Sequence, residues 1–469
     1  MTDDRDRRPD EPEEPQDPLS EMLGRLLGGG GLGPGVPGLD PAQMAAAGLP
    51  SDPAVLARIL GQVQRMLSTA SDEPVNWELA RDVARQGAAA GGDPAVGDRE
   101  GRAAVEALRL ADLWLDEVTD LPAAGAAPRA WSRSEWVEAT MPTWQRLAGP
   151  VATSVADAMA EAMTQQAPEE LRPMVAAAGT MMRQVGGAVF GMQVGQAVGA
   201  LAGEVVSATD VGLPLAGSGT TALLPANVAA FGEGLELPLE DVRIYLALRE
   251  AAHARLFAAA GWLAAHLLGS VEAYARGIRI DTAAIEQAVQ SVDPTDPQAL
   301  QQALSEGLFE PERTPQQQAA LSRLETTLAL VEGWVDEVVD AAARERLTSA
   351  GALREAVRRR RAVGGPAEHT LASLVGLELR PRRLRDAATL WATLEQARGR
   401  SGRDAVWQHP DLLPTAEDLD DPAGFAARRG DAEASSADVD AAIERLLHGQ
   451  DAGEDGGDDG AAEDGTERG

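Results

Sequence analysis

The sequence lacks cysteine and lysine, and it has only five His and 3% aromatic residues. Without cysteine, the chain cannot form disulfides, zinc fingers, iron–sulfur clusters or a cysteine nucleophile. A metal ion would therefore need His, Asp or Glu as its ligands, and His is scarce. All 41 basic residues are Arg, and hydrophobic residues make up 44% of the chain, which is enough for a sizeable core.

Acidic residues dominate the charge, because 74 Asp and Glu give a formal net charge of -33. The two ends are the most acidic parts: residues 1–18 hold eight acids and three Arg, and residues 449–469 hold eight acids and one Arg. Such a chain repels nucleic acids and anionic membranes, so we expect neither partner and no membrane insertion. The polar, Pro-rich start contains no secretory apolar segment, which predicts a cytoplasmic protein.

Composition divides the chain into three parts. Residues 1–50 form an acidic, Gly- and Pro-rich arm that we expect to be disordered. Residues 51–428 have helical periodicity and predict a mainly α domain with at most a small β-sheet, its short strands falling within 207–237. Residues 429–469 are an acidic tail, also expected to be disordered apart from one short helix near 439–447. Long helices are predicted at about 238–268, 280–291, 314–345, 350–361 and 382–398.

Two local patterns predict how helices begin and pack. Ser132 and Glu135 have the spacing of a capping box at a helix start. Glycines recur at every fourth position, which places them in one stripe along a helix and allows another backbone to approach closely. They are Gly187, Gly191, Gly195, Gly199 and Gly203. The segment is long enough to suggest a membrane span, but its three Gln favour a buried, tightly packed helix.

The candidate catalytic motif is Arg249-Glu250-Ala-Ala-His253, inside a predicted helix that starts near Pro238. In the H-E-x-x-H arrangement, two His on one helical face bind zinc, and the Glu acts as general base on the metal-bound water. Here Arg stands at the first position. A guanidinium group stays protonated and has no lone pair for zinc, so the motif is one ligand short.

Longer strings around this motif resemble a family. The chain resembles the zincin-like metallopeptidases of high-GC bacteria over about residues 50–425. This family is labelled hydrolase or zinc-dependent metalloprotease, and a sister group is associated by name with deazaflavin-coenzyme biosynthesis. The strings that carry the resemblance include RDVARQ, SEWVEATMPTW, GMQVGQAVGALAGEV, LLPANVAAF, LALREAAHARLFAAAGWL, LALVEGWVDEVVD and HPDLLPTAEDL.

The resemblance implies a zincin-like multi-helix domain with zinc as its cofactor. Within it, His253 matches the second His ligand and Glu250 the general base. Glu332 is nominated as the third ligand, with Asp336 one turn further on. Two weaker candidates are Glu272, because its spacing from His253 occurs in helical aminopeptidases, and His266, which lies on an apolar stretch where a core histidine is the more common explanation.

The Arg substitution leads to a structural hypothesis. We expect Arg249 to form an ion pair with Glu332 or Glu250 in the place of the metal, since a guanidinium fork binds carboxylates well. The alternative is that Arg249 faces solvent on an amphipathic helix.

Three functional hypotheses follow from the motif. The first is a catalytically impaired family member, a pseudoenzyme, that works as a binding or scaffold module for an unidentified protein or peptide partner. The second is an active metal-dependent peptidase or hydrolase with Glu250 as base and a non-standard ligand set. The third is a metal-free hydrolase that uses Glu250 or Asp336 as base and Arg249 to stabilise an oxyanion.

One basic segment stands out in the acidic chain and is a candidate binding surface. It could receive an acidic peptide, a carboxylate or a phosphate, or it could be neutralised by the chain's own acids. Nucleic-acid binding is disfavoured because no aromatic residues are interleaved. The candidate binding residues are Arg358, Arg359, Arg360, Arg361, Arg382 and Arg383.

Overall fold

The computed structural model describes residues 74–166, 172–277, 314–362 and 383–429, with the single positions 370, 372, 374 and 377. All of them belong to the larger of two compact units, residues 66–469. The predicted arm at 1–50, the predicted helix at 280–291 and the tail with its helix near 439–447 lie outside the described residues. The division into three parts therefore stays a prediction.

The described chain is mainly helical, which confirms the predicted fold class. Its longer helices are α1 (Trp77–Ala90), α2 (Asp98–Leu115), α3 (Arg133–Gln166), α4 (Arg172–Ala202), α5 (Pro225–Gly232), α6 (Leu239–Ala259), α7 (Gly261–Arg276), α8 (Pro315–Ala343), α9 (Ala350–Ala362) and α10 (Leu384–Asp404). Short 3-10 turns follow at Ala405–Gln408 and Pro410–Leu412, and residues 422–429 are helical again.

The small sheet has two strands of two residues each. β1 (Arg129–Ala130) pairs in parallel with β2 (Ala222–Leu223), with Arg129 opposite Ala222. Ser207 adds one antiparallel bridge to Leu223. β2 and the bridge fall within the segment predicted to hold strands, whereas β1 is too short to have a period of its own and was not predicted.

The predicted capping box is present at the start of α3. The backbone N–H of Ser132 donates to the Glu135 carboxylate at 2.7 Å, and the backbone N–H of Glu135 donates to the Ser132 hydroxyl at 3.2 Å. These two bonds satisfy amides that a helix start leaves without intrahelical partners.

The glycine stripe of α4 packs against α1. The backbone N–H of Asn76, the residue before α1, donates to the Gly187 carbonyl at 3.0 Å. A Cβ atom added at Gly195 would lie 2.5 Å from the carbonyl oxygen of Ala80 and 2.7 Å from Cβ of Val83. The close backbone approach predicted from the stripe is therefore confirmed, and α1 is the partner.

The single helix predicted over about 238–268 is two helices. Ala260 has non-helical backbone angles (φ -93°, ψ 73°), and α6 and α7 meet there at 97°. Among the described residues, no single helix is long and apolar enough to cross a membrane, and only this bent pair meets that criterion when its two helices are taken together. α6 is buried on all sides from Tyr245 to Phe257, so its polar residues lie inside the protein.

Candidate functional site

The charged side chains of the R-E-x-x-H motif are buried at the centre of the fold. Glu250 is 0% exposed and His253 is 2% exposed, on the fully enclosed part of α6. Glu332, which α8 places beside them, is 0% exposed, and Arg249 is 6% exposed. Burying a charge costs free energy unless the charge is paired or hydrogen-bonded, so the partners of these four side chains show which chemical role each can have.

Glu332 is the centre of a cluster of cationic groups. Its Oε2 accepts a hydrogen bond from Arg249 Nη2 at 2.6 Å. Its Oε1 lies 2.9 Å from Arg361 Nη2 and 3.1 Å from His253 Nε2. Burial alone would raise the pKa of Glu332, but Arg361, His253 and Arg249 together lower it far below its usual range. Glu332 is therefore a carboxylate anion, and of the two partners predicted for Arg249, Glu332 and Glu250, it is Glu332 that forms the ion pair.

Both ring nitrogens of His253 already have neighbours within hydrogen-bond distance. Nδ1 donates to the carbonyl oxygen of Arg249, one turn earlier in α6, at 2.8 Å. Nε2 faces the Glu332 carboxylate, and the ring stacks on Phe257 with 6.3 Å between centroids. The nitrogen that a zinc ligand would turn toward the metal therefore faces a protein carboxylate.

Glu250 is directed to a different part of the fold. We name residues 203–221, which connect α4 to β2, the strap. One carboxylate oxygen of Glu250 accepts from the backbone N–H and the hydroxyl of Thr209 at 3.1 and 2.6 Å, and the other from the backbone N–H of Ala222 at 3.0 Å. Burial raises the pKa of Glu250, and these hydrogen bonds offset only part of that effect. Glu250 thus fastens the strap and β2 to α6.

The strap also lies directly against the cluster. The carbonyl oxygen of Asp210 accepts from Arg361 Nη2 at 2.6 Å, and the Asp210 carboxylate lies 3.1 Å from Arg360 Nη1. Burial would raise the pKa of Asp210, but Arg360 and Arg361 hold it below its usual range. Gly212 has φ 77°, and a Cβ there would lie 2.9 Å from Glu332 Oε1. The strap therefore covers Glu332 at a position that only glycine fits.

Asp336 belongs to a ladder of charges between α8 and α9. Its carboxylate accepts from Arg354 Nη2 at 2.7 Å and from Arg358 Nη2 at 2.6 Å, and Arg354 Nη1 lies 2.8 Å from Asp340. With the Arg361–Glu332 contact, acids spaced four residues apart on α8 meet arginines on one face of α9. We call this set the charge ladder; it consists of Glu332, Asp336, Asp340, Arg354, Arg358 and Arg361.

The two weaker metal candidates do not contact Glu332 or His253. Glu272 pairs with Arg146 at 3.0 Å and with Arg276 at 3.1 Å, bridging α7 to α3. His266 lies on α7, where its Nε2 is 3.4 Å from the Thr327 hydroxyl, and burial lowers its pKa. Their contacts give each a structural role.

The Arg segment of α9 is not an open basic surface. Arg358 and Arg361 belong to the charge ladder, and Arg360 bonds the strap through Asp210 and the carbonyl oxygen of Glu204. Arg359 is exposed. Arg383 bonds Asp386, Asp420 and the carbonyl oxygen of Ala416, while Arg382 lies outside the described residues. Most of the described arginines of this segment are neutralised within the chain.

The residues around Glu332 do not fit a zinc ion. Across the described ranges, no group of three or more His, Asp or Glu side chains is placed to hold a metal. His253 and Glu332 offer two donors, whereas catalytic zinc sites use three protein ligands. Both oxygens of Glu332 are already bonded to guanidinium groups, and a divalent cation there would face two buried positive charges.

Comparison with known proteins gives the family. Residues 75–426 match the family model of the zincin-like metallopeptidases, so the chain belongs to this family. A solved structure from Chloroflexus aurantiacus, described as a "putative hydrolase with a novel fold", is similar with a TM-score of 0.53 at 19% identity. The match covers 76% of this chain and 98% of that one, and it concerns the fold alone. Comparison with curated proteins finds no match.

Several residues of the site were not predicted from the sequence. Arg361 was expected on a binding surface and instead forms the second ion pair of Glu332. Arg354, Asp210 and Thr209 were not singled out at all. For Arg354 a signal exists, because Glu332, Asp336 and Asp340 are four residues apart and the arginines of α9 have matching helical spacing.

Proposed function

We propose that this zincin-like family member does not carry out zinc-dependent hydrolysis and that it acts as a binding or scaffold module for a protein or peptide. The observation that carries the proposal is the contact of 2.6 Å between Arg249 and Glu332, at the point where the family motif would supply a metal ligand. An Arg in this position replaces a ligand and neutralises the third ligand at the same time.

The position of Glu250 supports the loss of hydrolysis independently. A general base must reach a water molecule next to the scissile bond. Glu250 is fully buried, and both of its oxygens hold Thr209 and Ala222. Activity would require Glu250 to release the strap and two arginines to release Glu332. Breaking a buried ion pair costs about 3–5 kcal/mol, which makes such a rearrangement unfavourable.

Two observations constrain the partner in the proposed binding role. The cavity beside Arg249 has a volume of about 10 Å³, which does not admit a peptide, so a partner would contact the exterior. The net charge of -33 favours a partner with basic residues and disfavours nucleic acids and anionic membranes. We place the protein in the cytoplasm as part of the same proposal.

Zinc content and peptidase activity test the loss of hydrolysis. The untagged protein is loaded with zinc, dialysed and analysed by mass spectrometry, and hydrolysis of an unstructured protein substrate is measured in parallel. We expect far less than one zinc per chain and no hydrolysis that a chelator removes. About one zinc per chain, lost in His253→Ala, would revive the metal-dependent hydrolase.

A pair of matched variants tests whether the residue at position 249 determines zinc retention. Arg249→His restores H-E-x-x-H, and Arg243→His makes the same chemical change two turns earlier in α6. We expect zinc retention to rise only in Arg249→His and to remain without turnover, because Glu250 still faces the strap. Turnover by Arg249→His would show that Glu250 can act as base and would contradict that part of the proposal.

A further inference from the structure

A small cavity lies between α6, α9 and the strap. Its lining residues are Asp210, Leu246, Arg249, Val357, Arg360 and Arg361, and its volume is about 10 Å³. That is room for one water molecule or one ion of similar size. Half of the lining side chains are guanidinium groups, and Leu246 and Val357 supply apolar walls.

Two arginines of this cavity have hydrogen-bond donors that no described residue uses. Among the described residues, Arg249 makes one side-chain hydrogen bond, through Nη2 to Glu332. Arg361 uses only Nη2, for the Asp210 carbonyl and for Glu332. Nε and Nη1 of both side chains make no hydrogen bond to another described residue. The cavity is an open space that both residues line.

Among the described residues around the cavity, the charges do not cancel. Arg249, Arg360 and Arg361 contribute three positive charges, whereas the carboxylates next to them are Asp210, on the wall, and Glu332, behind it. The three arginines and two carboxylates therefore sum to one positive charge, and His253 is not included in this sum. Burial and the neighbouring arginines lower the pKa of Arg361, as expected where like charges are crowded. An uncompensated charge is costly in a poorly hydrated site.

We propose that this cavity binds one monatomic halide anion, such as chloride, between Arg249, Arg360 and Arg361. The anion would accept hydrogen bonds from the free guanidinium nitrogens and balance the excess charge. The Asp210 carboxylate faces the same cavity, but it is bonded to Arg360 and to the backbone N–H of Val206. This inference goes beyond the proposed function and does not depend on it.

Thermal unfolding of the full-length protein in different sodium salts at one ionic strength tests the proposal. Any salt screens the repulsion within a chain of net charge -33, so sodium gluconate, whose anion is too large for the cavity, provides the baseline. We expect chloride and bromide to raise the Tm above this baseline by about 2 °C or more, with saturation. Equal Tm values in chloride and gluconate would overturn the proposal.

Two neighbouring Arg→Gln variants locate the effect. Arg360 lines the cavity, whereas the exposed Arg359 does not. We expect the increase in Tm from gluconate to chloride to disappear in Arg360→Gln and to remain in Arg359→Gln. This expectation holds whatever the Tm of each variant is in gluconate. Equal behaviour of the two variants would place the anion elsewhere and overturn the proposal. Bromide soaked into crystals should give an anomalous peak beside Arg249 and Arg361, and water alone there would overturn it as well.

Discussion

The contact between α1 and α4 and the cluster around Glu332 are both tightly packed, but opposite means hold them together. At the α1–α4 contact, glycines leave no side chain between the two backbones, and a Cβ atom added at Gly195 would lie 2.5 Å from the carbonyl oxygen of Ala80. Around Glu332, long charged side chains fill the space, and each carboxylate oxygen is matched by a donor from α6 or α9. The α1–α4 contact depends on the absence of side chains, and the Glu332 cluster depends on ion pairs.

This difference predicts which substitutions each region tolerates. Adding one methyl group should damage the α1–α4 contact, where no space is left, although it introduces no charge. Removing one charge should damage the Glu332 cluster, although it changes the volume very little. Comparing substitutions of similar size in the two regions therefore separates packing from electrostatics.

The largest effect is expected from Glu332→Gln. The change keeps the shape of the side chain but leaves Arg249 and Arg361 buried without their shared anion. We expect a loss of about 3–5 kcal/mol in the free energy of unfolding, measured with urea. Glu345→Gln on an exposed position is the matched control and should change stability by less than about 0.5 kcal/mol. Similar losses in both variants would contradict the conclusion that ion pairs to Glu332 stabilise this cluster.

A smaller loss is expected from Gly195→Ala on the α4 stripe. The new Cβ would lie 2.5 Å from the carbonyl oxygen of Ala80, which is backbone and cannot turn aside. We expect a loss of about 1–3 kcal/mol in the same urea experiment. Gly186→Ala is the control, because an added Cβ there meets nothing within 4 Å. It should be neutral or stabilising by up to about 1 kcal/mol, the ordinary helix preference for alanine.

The smallest effect is expected from Asp210→Asn, and it should depend on pH. Because the folded-state pKa of Asp210 is lowered by Arg360 and Arg361, its carboxylate stabilises the protein above the unfolded pKa of about 4 and loses this contribution as the pH falls. We expect the wild type to be more stable than the variant by about 1–2 kcal/mol at pH 7. The gap should close toward pH 2–3. A gap that is the same at both pH values would contradict the role of the charge.

Much of the fold follows from local signals in the sequence. The capping box at Ser132 and Glu135 and the close approach at the glycine stripe are both present. The predicted end of the helix near 398 coincides with non-helical angles at Gly399 within α10. The break at Ala260 was missed, because a sharp bend between two apolar helices leaves the hydrophobic pattern nearly continuous.

The site was predicted in part, and the reason lies in what a motif can specify. A carboxylate partner for Arg249 was predicted, either Glu332 or Glu250, because a buried guanidinium group requires an anion, and the structure shows that it is Glu332. The direction of Glu250 could not be predicted, since its partners are backbone amides of the strap, which no side-chain pattern reveals. Arg361 was assigned to the surface because a run of four arginines does not show by composition which of them face α8.

The central claim is that a guanidinium group stands where the family motif would place a metal ion. Diffraction from crystals grown with excess zinc, recorded on both sides of the zinc absorption edge, tests it most directly. We predict no anomalous peak between His253 and Glu332, with Arg249 Nη2 within hydrogen-bond distance of the Glu332 carboxylate. A zinc peak at that point, with Arg249 turned away from Glu332, would contradict the account.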